Sequence, residues 1–194
     1  MYSQQAIPPQ TETIMRLFIA IPLASQVVEA LERLSRSLQS ANDNLRWSSP
    51  ETWHITLQFL GETSIEKFSC IVQSLHQITS PPVPIWLNET GFFDRAGVFF
   101  AGVSVSPELR YLERHVVAAT ARCGFVAEDR PYHPHVTLAR AKGNDRVRTL
   151  RRLKTRVDEN FQYPAFTARE FLLYESHLGS DGARHEVRKR FPLV

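Results

Sequence analysis

His54-Ile-Thr-Leu57 and His135-Val-Thr-Leu138 are one four-residue pattern written twice, 81 residues apart, and the chain around them repeats as well. Shifting the sequence by that offset without gaps lays Phe18 on Phe99, Ala20 on Ala101, Ser25 on Ser106, Leu31 on Leu112, Glu32 on Glu113 and Thr56 on Thr137. An internal repeat outranks local signals, because it says that the fold is assembled from two similar units. It predicts two lobes, each holding one His-x-Thr, turned towards each other.

Outward from the first copy, residues 53–60 alternate, with β-formers at their centre, and Gly61 is expected to stop the strand. Upstream, residues 17–21 read as a strand closed by Pro22. Ser25 then caps a helix carrying Val28, Leu31, Leu34 and Leu38 at helical spacing. Downstream, Thr63 with Glu66 makes a capping-box pattern, opening a helix with Ile65, Phe68, Val72 and Leu75 on one face. Pro81-Pro82-Val83-Pro84 breaks it, and residues 85–87 can be extended. The second half follows the same order. Residues 98–105 form a strand, and Ser106 and Pro107 open a helix with Leu109, Leu112, Val116 and Ala119 inward. Residues 135–140 form the next strand, and Asn144 or Asp145 caps a basic helix holding Val147, Leu150, Leu153 and Val157. Residues 166–174 and 188–193 read as closing strands around a turn at Gly179-Ser180-Asp181-Gly182. The fold expected is α+β and bilobal, with two pseudo-symmetric lobes, each an antiparallel sheet with helices, about a central cleft. Residues 1–14 are expected to be a flexible extension and 15–194 a single bilobal domain.

With 194 residues, 43% of them hydrophobic and 22% charged, the chain can bury a core of ordinary size. Its formal charge of +3 suits an anionic ligand without demanding one. Cys70 and Cys123 offer neither a disulfide framework nor a metal spacing, and both read as small core residues on helices. No stretch approaches the roughly 18 to 20 apolar residues of a membrane span, and the start has no secretory pattern. A cytoplasmic monomer is the expectation.

Side chains at i and i+2 of a strand share a face. His54 therefore projects with Thr56, and His135 with Thr137, while Ile55, Leu57, Val136 and Leu138 turn into the core. Histidine is the side chain whose ordinary pKa, about 6.5, lies nearest neutrality. In a phosphodiester displacement the attacking oxygen loses a proton as the leaving oxygen gains one. Two opposed imidazoles can do both, and the threonine hydroxyls can donate to the non-bridging oxygens. Metal chemistry lacks partners, since no His/Asp/Glu triplet stands at ligand spacing near either motif. His133 is read as structural or solvent-facing, as are His76, His115, His177 and His185. Arg140 closes the second motif where the repeat offset puts Phe59 in the first, an asymmetry that could orient a substrate, and its guanidinium would suit a phosphate oxygen. Trp47 and Tyr132 are candidates for stacking on a base, packing being the expectation for Trp47. The arginines of 146–156 read as a solvated face.

Arg16-Leu-Phe-Ile-Ala-Ile21, Leu45-Arg-Trp47, His54-Ile-Thr-Leu-Gln-Phe-Leu-Gly61 and Pro134-His-Val-Thr-Leu-Ala-Arg140 together resemble the 2H phosphoesterases. Among these they are most similar to the bacterial RNA 2′,3′-cyclic phosphodiesterases, also described as 2′-5′ RNA ligases. The resemblance runs from about Met15 to the C-terminus. It implies a bilobal fold without metal or cofactor, acting on RNA ends or nucleotides with a 2′,3′-cyclic phosphate and leaving a 2′-phosphomonoester. It also implies that His54 is the proton donor and His135 the proton acceptor, an order that spacing does not supply. Near His185 the family pattern usually has an aromatic. The reverse reaction, 2′-5′ ligation, would use the same histidines. A non-catalytic RNA- or nucleotide-binding module with the same cleft is the competing expectation.

Overall fold

The computed structural model describes residues 14–40, 44–179 and 182–194. The N-terminal extension expected before residue 14, and Ser180 and Asp181 of the expected turn, lie outside them. The described elements run β1 (Met15–Pro22), α1 (Ser25–Leu38), β2 (Leu45–Trp47), β3 (His54–Thr63), α2 (Ile65–Leu75), β4 (Val83–Phe93), β5 (Val98–Val103), α3 (Pro107–Ala121), β6 (His135–Ala141), α4 (Arg146–Lys154), β7 (Ala165–Ala168), β8 (Glu170–Gly179) and β9 (Gly182–Pro192). The fold is α+β, with two antiparallel sheets ordered β3-β1-β8-β9 and β2-β6-β5-β4-β7.

The repeat led us to expect that each half of the chain builds its own lobe. Instead the halves exchange strands. β8, from the second half, pairs onto β1 and carries β9 on its outer edge, whereas β2 and β4, from the first, join the sheet of β5 and β6. Packing and hydrogen bonding both require it. Nearly every residue of β1 and all of β5 are buried, so each is a central strand with backbone groups to satisfy on two edges. Its own repeat unit supplies one neighbour, β3 or β6, and the other half supplies the second.

Within β3 and β6 the repeat extends to a backbone irregularity. In β3 the pairing with β1 jumps from Ile19↔Gln58 to Ala20↔Thr56, leaving Leu57 as an extra residue. In β6 it jumps from Phe99↔Ala139 to Phe100↔Thr137, leaving Leu138. Each bulge puts two consecutive residues inside, Leu57 with Gln58 and Leu138 with Ala139, and then resumes alternation in the opposite phase. Phe59 and Arg140 consequently emerge on the face that carries the histidines. The ladders also show that β5 is one residue out of step with the ungapped offset. Val98 and Phe100 occupy the places of Phe18 and Ala20, whereas Phe99 and Ala101 lie in the core.

Several local expectations are corrected. Gly61 does not end β3. It adopts φ +71 within the strand, at a second register shift, and pairing continues to Thr63. Ser25 is the first helical residue of α1, whose N-cap is Ala24, with no side-chain cap. Thr63 closes β3, and Ser64 caps α2 by accepting from the Lys67 N–H. Ile65 is exposed, and the buried anchors of α2 are Ile71 and Leu75. Ser106 caps α3 as expected, its Oγ accepting from the Leu109 N–H at 3.1 Å. Asp145 precedes α4 without a side-chain cap, and Leu150 and Leu153 anchor that helix. The closing segment holds three strands, not two. Cys70 and Cys123, expected as separate core residues, form a disulfide between α2 and the end of α3. Sequence separation concealed their proximity, since α2 and α3 pack together only in the folded chain.

Candidate active site

His54 opens β3 and His135 opens β6, and these strands of different sheets run close beside one another. The Tyr132 hydroxyl donates to the Thr56 carbonyl at 3.1 Å, and Thr120 Oγ1 of α3 donates to Gln58 Oε1 of β3 at 2.7 Å, tying the second lobe to the first. The two imidazoles are near enough for the charge of His135 to act on His54.

Their backbone settings are mirror copies. His54 Nδ1 lies 2.7 Å from the Thr52 carbonyl oxygen, and His135 Nδ1 lies 2.8 Å from that of His133. A carbonyl can only accept, so each Nδ1 carries the proton. In the neutral ring Nε2 is then left with its lone pair, able to take a proton or to return one. Thr56 and Thr137, two residues on, stand on the same strand faces as the histidines and are likewise only partly buried.

Each ring rests on an aromatic floor. His54 lies 4.7 Å from Phe18, which stacks on Tyr174 at 5.0 Å. His185 meets the His54 ring edge-on at 5.2 Å and Phe18 at 4.9 Å. In the other lobe His135 sits 5.0 Å from Phe93 and 5.2 Å from Phe100. Burial against these rings disfavours the imidazolium. It brings His54 down to about 4, with the charges of His185 and His135 acting in the same direction and the Thr52 hydrogen bond opposing them. His135 is also held below its ordinary value, first by burial, with His133 and Arg140 adding repulsion. With substrate absent, both rings are neutral near pH 7.

Arg140 lies opposite Arg46 across the β2–β6 ladder and opposite Val98 across β5–β6, on the face of His135. Its influence on His135 places the guanidinium within electrostatic reach of the site. Tyr132, a candidate base platform, is placed otherwise. Its hydroxyl bridges the lobes and the Arg110 guanidinium stands over its ring at 5.6 Å, which makes it a tie between β3 and α3. Trp47 packs against the core. His133 supplies the carbonyl that orients His135, while its ring packs on Phe93 and Phe100. His185, read from the sequence as structural or solvent-facing, packs against Phe18 and His54 and so forms one wall of the site. Phe18, Tyr174 and Phe93 were missed too. Their only trace in the sequence was the strand alternation, and register alone brings them beside the histidines. Among the described residues no three His, Cys, Asp or Glu side chains gather as a metal-ligand set, and no helix is long and apolar enough to cross a membrane. The arginines along α4 are exposed, as expected of a solvated face.

A family model described as the 2′-5′ RNA ligase superfamily matches residues 22–180. The chain is 28% identical over 180 residues to the RNA 2′,3′-cyclic phosphodiesterase of Escherichia coli, an alignment covering 92% of this chain and 97% of the relative. It is 29% identical over 185 residues to the enzyme of that name from Geobacillus stearothermophilus, covering 91% of this chain but only 57% of the relative's length. Among solved structures, Escherichia coli LigT complexed with 3′-AMP superimposes with a TM-score of 0.76 at 26% identity, covering 94% of this chain and 99% of LigT.

Proposed function

The chain belongs to the 2′-5′ RNA ligase superfamily, and we propose that it is a metal-independent RNA 2′,3′-cyclic phosphodiesterase. Its substrates would be RNA ends or nucleotides carrying a 2′,3′-cyclic phosphate, taken up by a monomer whose catalytic unit spans residues 15–194. The observation that carries this reading is the mirrored pair of imidazoles, each with Nδ1 anchored to a backbone carbonyl two residues upstream and each with Nε2 left for chemistry.

Water attacks phosphorus and gives its proton to His135 Nε2, while the bond from phosphorus to the ribose O3′ breaks and O3′ takes a proton from His54. The product is a 2′-phosphomonoester, and exchange with solvent restores both rings. Thr56 and Thr137 donate to the non-bridging oxygens, where charge accumulates, and Arg140 adds a positive field. His54 must be charged to act as donor, although the free cleft holds it neutral near pH 7. The anionic phosphate offsets that burial on binding, so the substrate itself loads the acid. Ligation of 2′-5′ ends follows from the same groups when a ribose 5′-hydroxyl replaces water, losing its proton to His135 as its oxygen bonds to phosphorus and the bond to O3′ breaks, with O3′ protonated by His54.

A metal-free assay on 2′,3′-cyclic nucleotides, in the presence of EDTA, tests the reading. Each imidazole acting in proton transfer contributes about 10² to 10⁴ in rate, so His54→Ala and His135→Ala should each lower kcat by at least that range's lower end while the fold persists. Full turnover in His135→Ala, or loss of wild-type activity in EDTA, contradicts it.

A further inference from the structure

The two histidines face unlike neighbours across their ladders. Pro22 stands opposite His54, whereas Gly102 stands opposite His135. Directly paired residues share a face of the sheet, so the missing side chain at 102 leaves space beside His135. A Cβ there would come within 2.3 Å of Asn88 Oδ1. Gly91 of β4 likewise makes room for the Phe100 ring, which a Cβ would meet at 2.6 Å. Beside these glycines lies a pocket of about 210 Å³, walled by Asn88, Glu89, Phe100, Val105, His133 and Lys154. Two of its walls belong to the catalytic site. The His133 carbonyl holds His135 Nδ1, and the Phe100 ring lies 5.2 Å from the His135 ring. The charges at its rim are already matched, with Lys154 Nζ 3.6 Å from Glu89 Oε2. The pocket therefore suits an uncharged group with polar edges better than a second phosphate.

We infer that this pocket takes the first nucleoside of an acceptor RNA strand, the one whose free 5′-hydroxyl replaces water in 2′-5′ ligation. The inference rests on the cyclic phosphodiesterase reading. The 5′-hydroxyl gives its proton to His135 Nε2 as O5′ bonds to phosphorus, the bond from phosphorus to O3′ breaks, and O3′ takes a proton from His54. The attacking oxygen must approach from the side of His135, so the nucleoside attached to it has to lie against that lobe. There the pocket has room for one nucleoside, with the apolar side chain of Val105 to cover its base and the Asn88 amide to meet a polar edge. Pro22 occupies the matching place beside His54, on the side from which O3′ leaves. Water attacks when no acceptor is bound, so occupancy of the pocket sets the ratio of transfer to hydrolysis.

The test is run on the full chain in EDTA, with 2′,3′-cyclic AMP as donor and either uridine or glycerol as acceptor. The ratio of phosphodiester to 2′-AMP formed is followed against acceptor concentration. In the wild type that ratio should saturate with uridine and exceed the glycerol value by about tenfold or more, the advantage of a positioned reactant over a free one. The product should be linked 2′ to 5′, and 5′-deoxyuridine, which lacks the reacting hydroxyl, should suppress transfer to uridine. Val105→Trp fills the pocket from its exposed rim and should return the ratio to that of glycerol. Since Val105 is 41% exposed, unchanged circular dichroism should accompany the loss. A wild type that hydrolyses cyclic AMP but favours uridine no more than glycerol overturns the acceptor pocket and leaves the phosphodiesterase reading standing. An undiminished ratio in Val105→Trp does the same. A wild type that turns over cyclic AMP in neither way overturns both.

Discussion

At the scale of the residue, the chemistry turns on opposing influences at two nitrogens. Burial on Phe18, or on Phe93 and Phe100, removes protons from the imidazoles, while the Thr52 and His133 carbonyls favour keeping them. Burial prevails, and both histidines fall below 6.5. The consequence for activity has a definite sign. A donor must be protonated before it reacts, so activity declines as pH rises through its pKa. The alkaline limb of kcat/KM, which reports the free enzyme, should accordingly lie below pH 6.5. The limb of kcat, which reports the complex, should lie higher because the bound phosphate anion raises the donor. Coincident limbs in the two profiles would show that the substrate does not load the acid. His54 and Thr56, with their copies, were legible in the sequence because a repeat has no packing reason to preserve a polar histidine. Their aromatic floor was not, since Phe18 and Tyr174 reach His54 through strand register and not through proximity in sequence.

At the scale of the element, a few backbone devices aim the side chains. The bulges at Leu57 and Leu138 convert two ordinary amphipathic strands into strands that present His and Thr, and then Phe59 or Arg140, on one face. Alternation read from the sequence reached the bulge correctly and lost phase beyond it, because an extra residue is invisible to a period of two. Helix boundaries were legible where the capping chemistry was distinctive. Ser106 with Pro107 marked α3, whereas Ser25 and Thr63 each misled by one residue, since a hydroxyl near a helix start has several places it can occupy. Ser106 is buried and its cap is made within the core, so Ser106→Ala should cost about 1 kcal/mol, read as a lower denaturant midpoint with an unchanged m-value. The equivalent change at Ser25, which makes no cap, should move the midpoint far less.

At the scale of the whole molecule, the halves of the chain are interlaced, each lending strands to the other's sheet. The two sheets are therefore tied together by the chain that passes back and forth between them, and Tyr132 and Thr120 add side-chain bonds onto β3. The Cys70–Cys123 bridge fastens α2 to α3 over a sequence separation of 53. Closing a loop of that size typically contributes about 2–4 kcal/mol, worth several degrees of Tm in a chain of this length. Calorimetry with and without reductant, and on Cys70→Ser, should show that fall, and an identical Tm under both conditions would mean that the bridge carries no stability. A bridge of this kind is uncommon in a reducing cytoplasm, the compartment expected from the sequence. By itself the sequence determined the repeat, the two His-x-Thr pairs and the α+β class, and it suggested the acid/base chemistry proposed for them, because each follows from residue type and local period. The exchange of strands, the disulfide, the third histidine beside His54 and the outward turn of Phe59 were decided by the tertiary structure, because edge-strand pairing and burial depend on which distant segments meet.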